Sequence, residues 1–383
     1  MGNNRCKRCI MPIEYPGITF NSEGVCNYCT HSNSNTEENK TDLLGKDKLI
    51  ELMRSTEKTG EVDCVVPLSG GKDSVYVLYY SVRELGLRPI AVTYSSGFQT
   101  QIAMQNVRNA CDALNVPCFV EEANKNIQNR LLRESLRISE TIGSFVKTCL
   151  NCSTIIKAIP IKVARQRRIP FVLWGDSVRE SVRLMKMKSK LPTVKYEDVR
   201  SNSLVTGVAE TMSRLRAVRM TPLKFIRIIP TLARYRFLTT HQLLSLGVPF
   251  KHVIFPNIGF AFPKKDPQVV HFFDYVDWDP VKGIAVLERE LGWKHPPNTI
   301  SRFDCSLSCF TSHRGLQVDG ISGDAVISCN LIREGFLSRE EAIEAEQLRE
   351  HAVVEECERL ISELGLDDFV IPALRNGRHS HDG

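Results

Sequence analysis

The stretch VVPLSGGKDSVYVLYY, residues 65–80, decides how the rest of the chain is interpreted. Its first four residues are apolar and typical of a buried strand, and apolar residues recur at helical spacing from Val75 onwards. Between these two runs lies a short polar turn, Ser69-Gly70-Gly71-Lys72-Asp73-Ser74. A helix that begins directly after a parallel strand presents free backbone N–H groups and the positive end of its dipole. The stretch therefore predicts a phosphate-binding turn.

The residue types of this turn suit an anion. Two glycines, Gly70 and Gly71, would let an anion approach the backbone closely. Hydroxyls at Ser69 and Ser74 add hydrogen-bond donors, and Lys72 adds positive charge. The spacing is neither G-x-x-x-x-G-K-[ST] nor G-x-G-x-x-G. The turn is shorter than either of those loops, which favours a pyrophosphate over the wrapping of a whole triphosphate.

Strand and helix patterns alternate around this turn. Strands are predicted at residues 63–69, 88–94, 116–122 and 169–177, with helices at 74–86, 99–114 and 126–146. This alternation predicts an α/β fold, a parallel sheet with helices on both faces. Further helices are predicted at 280–292 and from Ser338 to about residue 364, the latter opened by an S-R-E-E capping box. The C-terminal region is therefore expected to be mainly helical.

Composition shifts along the chain predict five segments. These are a cysteine-rich segment at 1–31, a polar linker at 32–46, the α/β domain with a basic segment at 47–235, a C-terminal substrate or partner region at 236–373 and a disordered tail at 374–383. The sequence contains no run of about 18 apolar residues and no apolar signal region. We therefore expect a cytoplasmic protein without a membrane partner.

Four of the 13 cysteines form two CxxC pairs near the N-terminus, Cys6 with Cys9 and Cys26 with Cys29. This is the ligand spacing of a structural zinc site, and a segment of about 30 residues needs such a site because it cannot bury a core of its own. Four thiolate ligands leave no open coordination position. The pattern therefore predicts a four-cysteine zinc knuckle with a structural role.

A third CxxC pair, Cys149 and Cys152, has several interpretations. Two buried thiols, a redox pair, a zinc site and part of an iron–sulfur site all fit such a pair. A third cluster ligand would come from Cys305 or Cys309, far along the chain. These alternatives stay open at the level of the sequence.

Positive charge is concentrated in residues 179–236, which contain 14 Lys+Arg against 4 Asp+Glu, a local net charge of +10 in a chain of net charge +6. A segment this basic suggests a polyanionic partner, and Arg179, Arg183 and Arg216 are candidates for binding a substrate diphosphate. A solvated helical face is the alternative interpretation.

Two strand ends should face the turn, because ligands of open α/β sheets bind at the carboxyl ends of parallel strands. Tyr94 ends the second predicted strand, where an adenine or ribose is expected. Gly175 follows a later strand and would let the chain approach the nucleotide, while Asp176 is either catalytic or a helix cap.

The SGGKDS turn resembles the signature of the ATP pyrophosphatase superfamily, the PP-loop enzymes with a HUP-like fold. This resemblance implies that ATP is split between its α and β phosphates, that AMP is attached to a carbonyl oxygen of the substrate, and that a nucleophile then displaces AMP. It also implies catalytic roles for Lys72 and Asp73, and Mg²⁺ on the phosphates, with Asp73 as one contributor.

A closer resemblance covers both ends of the chain. The segment CKRCIMPIEYPGITFNSEGVCNYC, residues 6–29, looks like the opening of the N-acetyl sugar amidotransferases, which convert acetamido groups of nucleotide-linked sugars into acetamidino groups for lipopolysaccharide and other surface polysaccharides. Residues 278–299, the pair Asp304-Cys305 and residues 331–343 look similar to that family's C-terminal half. The resemblance implies a separate glutaminase and cyclase-like partner that supplies ammonia.

The alternative is an ATP-dependent sulfur transferase that acts on a nucleobase, a tRNA or a small metabolite. In this hypothesis Cys149, Cys152 and Cys305 hold a [4Fe-4S] cluster or carry a persulfide, and the partner is a sulfur carrier or tRNA. The extra thiols, Cys309 included, favour it. A zinc-containing nucleic-acid-binding module is disfavoured because it leaves the SGGKDS turn without a role.

Overall fold

The structure, a computed structural model, describes residues 4–15, 17–34, 43–55, 60–142, 150–175, 222–247, 267–296, 303–366 and 369. The chain divides into two compact units. The larger unit is Lys40–Cys305, and the smaller unit combines Met1–Asn39 with Ser306–Gly383.

The larger unit contains a five-stranded sheet in which every described pairing is parallel. Its strands are β1 (Cys64–Pro67), β2 (Pro89–Ser95), β3 (Cys118–Glu122), β4 (Phe171–Trp174) and β5 (Gln268–His271). Their order across the sheet is β3-β2-β1-β4-β5. Strands β1, β3 and β4 fall within their predicted segments, and β2 extends one residue beyond its segment. Strand β5 overlaps the start of an apolar run, residues 269–276, for which the sequence predicted no element.

Helices connect and cover these strands. In the larger unit they are α2 (Lys46–Ser55), α3 (Lys72–Arg83), α4 (Gln101–Leu114), α5 (Lys125–Ile142), α6 (Leu150–Gln166), α7 (Pro222–Ser245), a 3-10 turn (Phe272–Asp274) and α8 (Pro280–Leu291). Two buried apolar clusters flank the sheet. Consecutive residues of a strand point to opposite faces, so Val65 of β1 belongs to one cluster and Val66 to the other. The predicted parallel sheet with helices on both faces is therefore confirmed.

The strand order reverses beside β1, which makes this the topological switch point of the sheet. The chain moves from β1 outwards through β2 to β3 on one side, then crosses to β4 and β5 on the other. Such a reversal opens a crevice at the carboxyl ends of the two strands that flank it, and ligands of α/β sheets bind there. The fold therefore points to the ends of β1 and β4, which are followed by the SGGKDS turn and by Gly175.

The smaller unit consists of the cysteine-rich N-terminal segment and helices. Its helices are α1 (Asn27–Ser34), α9 (Ser308–Asp319), α10 (Gly323–Glu334) and α11 (Arg339–Glu363). Helix α11 begins with the predicted capping box, in which the Ser338 side chain accepts from the backbone of Glu341 and the Glu341 side chain accepts from the backbone of Ser338. The mainly helical C-terminal region is confirmed.

No helix in the described part of the chain is both long and apolar enough to cross a membrane. The predicted disordered tail lies outside the described residues, as does the apolar stretch VIFPNIGFAF at 253–262. The five predicted segments stay predictions.

Candidate active site and metal centre

The turn after β1 requires glycine at Gly70. Its φ angle is +86°, in the left-handed region that residues with a side chain rarely adopt. A Cβ atom at this position would lie 2.1 Å from the carbonyl oxygen of Ala103 in α4. The turn therefore passes against the backbone of α4 at a distance that only glycine permits.

Two side chains hold the carbonyl oxygen of Gly70 in place. Asn106 Nδ2 in α4 donates to it at 3.1 Å, and Trp293 Nε1, which follows α8, donates at 2.9 Å. Asn106 also bonds both backbone groups of Lys294, at 2.7 and 2.9 Å. The turn is therefore fixed by two elements distant in sequence. Sequence reasoning did not identify either side chain, although Trp293 lies in a segment that carried the family resemblance.

Hydroxyl groups order the other half of the turn. The Oγ atoms of Ser69 and Ser74 are 3.2 Å apart, and the Ser69 backbone N–H donates to Ser74 Oγ at 3.2 Å. Ser69 Oγ accepts from the Gly71 N–H at 3.3 Å, and Ser74 Oγ donates to the Gly71 carbonyl at 3.0 Å. Gly71 is the N-cap of α3 and has no side chain to cap the first turn. The hydroxyls of Ser69 and Ser74 therefore lie together at the start of α3.

Lys72 is buried in this arrangement, with 4% of its surface exposed. Its Nζ lies 3.2 Å from Asp73 Oδ2, so the ammonium and the carboxylate form an ion pair within the first turn of α3. A buried charge requires such a partner. A phosphate bound at the start of α3 would be a second anion for this ammonium, at the positive end of the helix dipole.

A second carboxylate, that of Asp304, lies beside the turn; Asp304 is the penultimate residue of the larger unit. A Cβ atom on Gly71 would lie 3.6 Å from Asp304 Oδ2, so this carboxylate adjoins the start of α3. The backbone around Asp304 is anchored to the loop after β2, since Thr100 donates to the carbonyls of Phe303 (2.8 Å) and Asp304 (3.3 Å). The sequence singled out the pair Asp304-Cys305 as family-like but did not assign a role to Asp304.

Cys305 adds a further backbone contact between this segment and the loop after β2. It forms an isolated antiparallel bridge with Gln99, and its side chain is partly exposed. The structure therefore places this candidate directly after a carboxylate that borders the SGGKDS turn.

Gly175 lies beside the crevice expected at the switch point. A Cβ atom there would be 3.1 Å from Val77 Cγ2 and 3.5 Å from the Asp73 carbonyl oxygen. The end of β4 thus packs closely against the first turns of α3, and glycine permits this approach.

Tyr94 has a different environment from the one the sequence suggested. Its side chain is buried, and its hydroxyl accepts from Gln242 Nε2 of α7 at 2.9 Å. The same amide donates to Gln128 Oε1 of α5 at 3.0 Å, and the Tyr94 hydroxyl donates to that oxygen at 3.4 Å. This polar triad connects the end of β2 to two helices. A contact between Tyr94 and a nucleotide stays a prediction.

Several candidates lie outside the described residues: Cys149, Asp176, Arg179, Arg183 and Arg216. Cys152 belongs to the first turn of α6, but its side chain is not among those described. Helix α6 packs against β1, β2 and β4. The roles of these residues stay predictions.

The smaller unit brings four thiols together. The ligand atoms of Cys6, Cys9, Cys26 and Cys29 all lie within 4.8 Å of one another, and all four residues are buried. The Sγ atoms of Cys6 and Cys29 are 3.9 Å apart, and those of Cys9 and Cys26 are 3.8 Å apart. Zn–S bonds of about 2.3 Å in a tetrahedron give sulfur–sulfur separations of roughly 3.8 Å. The donor set therefore fits zinc.

The surroundings of this four-cysteine cluster suit thiolates. Backbone N–H groups of Cys9 and Cys26 donate to Cys6 Sγ at 3.5 and 3.2 Å. Arg333 Nη1 lies 3.9 Å from Cys29 Sγ, and Arg339 Nε donates to the carbonyls of Cys6 and Cys9 at 3.3 and 3.1 Å. These contacts attach the knuckle to α10 and α11. Zinc bound here would crosslink the segment and have no open position for a substrate.

The parallel sheet, its switch point and the glycine-dependent turn define an α/β fold and are consistent with the PP-loop fold. No protein-family model and no curated protein matches the chain. Among solved structures, the chain is similar to the U34-tRNA thiolase NcsA from Methanococcus maripaludis, determined with its [4Fe-4S] cluster. The identity is 14%, the TM-score is 0.33, and the match covers all of this chain and 95% of the thiolase. A likeness this low carries no argument about the activity of this chain.

Proposed function

We propose that the protein is an AMP-forming enzyme of the ATP pyrophosphatase type. The observation that supports this most is the SGGKDS turn at the switch point, held against α4 so closely that Gly70 cannot carry a side chain. Such a turn offers backbone N–H groups, two hydroxyls and a buried ammonium to one anion. The turn is too short to wrap a whole triphosphate, which favours pyrophosphate as the anion that it binds.

The proposed first step is adenylation. An oxygen of the acceptor attacks the α-phosphorus of ATP, the bond from that phosphorus to the bridging oxygen breaks, and pyrophosphate leaves with the electron pair. The start of α3, Ser69 and Ser74 would bind the leaving pyrophosphate, and Lys72 would neutralise part of its charge. The carboxylates of Asp73 and Asp304 border the turn and would hold Mg²⁺, which would supply further neutralisation of the phosphates.

For the second step we propose amidotransfer. The acceptor would be the amide oxygen of an N-acetyl group on a nucleotide-linked sugar, and adenylation turns that oxygen into part of a good leaving group. Ammonia from a separate glutaminase would then attack the amide carbon, AMP would leave, and an amidine would remain. The support for this step is the resemblance of residues 6–29, 278–299 and 331–343 to the N-acetyl sugar amidotransferases.

Sulfur transfer is a second candidate, favoured by the position of Cys305. Cys305 directly follows Asp304 and is partly exposed. A persulfide on it would attack the adenylated atom through its outer sulfur and displace AMP, and a second thiol would then attack the Cys305 sulfur, which forms a disulfide and releases the thiolated product. Cys149 and Cys152 would be its partners in this hypothesis, either as ligands of an iron–sulfur cluster or as carriers of a persulfide. The acceptor would be a nucleobase, a tRNA or a small metabolite.

Competing nucleophiles distinguish the two candidates. The anaerobically purified protein is incubated with ATP and UDP-N-acetylglucosamine, and ammonium or sulfide is added; the products are identified by mass spectrometry. Amidotransfer predicts AMP and an amidine with ammonium, and Cys305→Ser keeps this activity. Iron and sulfide bound to the purified protein, together with loss of all activity in Cys305→Ser, would support sulfur transfer instead. ATP turnover to ADP would contradict both.

A further inference from the structure

Helix α7 of the larger unit carries a ridge of exposed apolar side chains. Its four residues are 63, 47, 70 and 41% exposed, in the order Ile226, Ile229, Phe237 and Leu244. At 100° per residue they fall within an arc of about 80° and extend about 27 Å along the helix. The opposite side of α7 packs against α5 and α6. Large apolar side chains grouped in this way on a surface mark an interaction site.

Positive charge flanks this apolar ridge on both sides. The exposed residues Arg227 and Arg234 lie about 80–100° from its centre on one side, and the exposed Arg236 lies about 80° from it on the other. Helix α7 contains no aspartate or glutamate. Arg130 of α5 belongs to the same surface, since it lines a small cavity together with Phe237. The ridge is therefore apolar along its centre and basic along its edges.

One carboxylate lines that small cavity, but it does not reverse the charge of the surface. Glu134 of α5 is 8% exposed, and its Oε1 accepts from Arg137 Nη1 and from Arg234 Nε, each at 3.2 Å. A buried carboxylate that two guanidinium groups already neutralise leaves the surrounding arginines in excess. The surface therefore favours a partner that is negatively charged.

The charge pattern distinguishes between possible partners. Two copies of α7 placed face to face would set arginines against arginines, which opposes self-association. RNA would find positive charge but little to stack on, because the ridge is aliphatic apart from Phe237 and bases stack on aromatic rings. An anionic lipid surface suits both features, since its phosphates attract the arginines and its acyl chains receive the apolar side chains.

We propose that α7 docks the protein on the surface of an anionic membrane. The helix lies in the plane of the interface, the apolar ridge enters the boundary between headgroups and acyl chains, and the flanking arginines contact lipid phosphates. The sequence-based expectation of no membrane partner rested on the lack of an apolar span and of a signal region. A helix that lies on the membrane needs neither.

The first test is flotation of the full chain with lipid vesicles. Vesicles of phosphatidylcholine and phosphatidylglycerol in equal amounts should bind the protein, and vesicles of phosphatidylcholine alone should bind it far more weakly. Phe237→Ser should weaken binding to the mixed vesicles about tenfold or more, because it removes a large apolar side chain from the interface. Val281→Ser is the matched control, since Val281 of α8 is 59% exposed but lies outside the ridge.

A second test separates insertion from attraction by charge alone. The three native tryptophans are at most 9% exposed, so a tryptophan placed at the surface reports on its own surroundings. The emission of Phe237→Trp should shift to shorter wavelength when the mixed vesicles are added, and that of Val281→Trp should not. The double variant Arg227→Gln with Arg236→Gln should weaken binding roughly 25-fold, about fivefold for each arginine.

The inference is overturned if the mixed vesicles do not bind the protein at low ionic strength, or if Phe237→Ser and Val281→Ser bind equally well. Binding that is weakened in the arginine variant but leaves the Phe237→Trp emission unshifted would also overturn it, because the ridge would then stay in water. An RNA decamer is titrated in parallel. Affinity for the RNA that falls in Phe237→Ser, without binding to the vesicles, would assign the surface to RNA instead.

Discussion

Replacing Gly70 by alanine is the sharpest perturbation of the proposed nucleotide site. The residue has a φ of +86°, and the left-handed conformation costs a residue with a side chain roughly 1–2 kcal/mol. The new Cβ would also lie 2.1 Å from the Ala103 carbonyl oxygen and 2.9 Å from its Cα, both backbone atoms of α4. Overpacking of this kind adds roughly 1–3 kcal/mol. The total loss of stability should therefore be roughly 2–5 kcal/mol.

Gly45→Ala separates the two contributions. Gly45 has a similar φ of +91°, but a Cβ atom there meets nothing within 4 Å. This control should lose only the roughly 1–2 kcal/mol of backbone strain and keep its affinity for ATP. In Gly70→Ala the turn must move, which also disturbs the bonds from Asn106 and Trp293 to the Gly70 carbonyl.

Urea unfolding followed by circular dichroism measures the free energy of unfolding of both variants, and calorimetry measures their affinity for the α,β-methylene analogue of ATP. We expect Gly70→Ala to be at least about 1 kcal/mol less stable than Gly45→Ala and to bind the analogue at least about tenfold more weakly. Equal stability and equal affinity of the two variants would refute the close packing of the turn and its role in binding.

Three further predictions concern other parts of the molecule. Lys72→Met keeps the aliphatic volume of a side chain that is 4% exposed but removes its charge, so pyrophosphate release should fall roughly 100-fold or more while the circular dichroism spectrum is unchanged; normal turnover would count against the site. Cys26→Ser should give poorly soluble protein with less than one zinc per chain by mass spectrometry, whereas Cys118→Ser, at an exposed thiol, should keep its zinc; full zinc content in both would contradict the assignment of the four-cysteine cluster. Ser338→Ala should lower the free energy of unfolding by about 1 kcal/mol in urea titrations, because it removes the cap of α11; an unchanged midpoint would show that the capping box contributes nothing.

The local sequence patterns of the chain were sufficient to predict four of the five strands of the sheet. Four of its strands follow from short apolar runs bounded by turns, and the tight glycine turn after β1 follows from six consecutive residues. Its binding of phosphate stays a prediction. The spacing of the two N-terminal CxxC pairs likewise predicted four converging thiols, which the structure brings together. These features are encoded within a few residues, so periodicity and spacing reveal them.

Contacts between distant segments were not predictable in the same way. The bond from Trp293 to Gly70 joins residues 223 positions apart, and no local pattern marks either residue as the partner of the other. Asp304 borders the turn, and its backbone accepts a hydrogen bond from Thr100, a residue 204 positions earlier in the chain. Tyr94 is the penultimate residue of β2, and Gln128 and Gln242 bond its hydroxyl from two helices. Such partners are set by tertiary packing.

The most direct test of the proposed chemistry identifies the phosphorus products. The protein is incubated with Mg²⁺, ATP, ammonium and UDP-N-acetylglucosamine, and ³¹P nuclear magnetic resonance follows the reaction, with Lys72→Met as the inactive control. Cleavage between the α and β phosphates predicts resonances of AMP and pyrophosphate in equal amounts. Resonances of ADP and inorganic phosphate, absent from the Lys72→Met sample, would contradict the account.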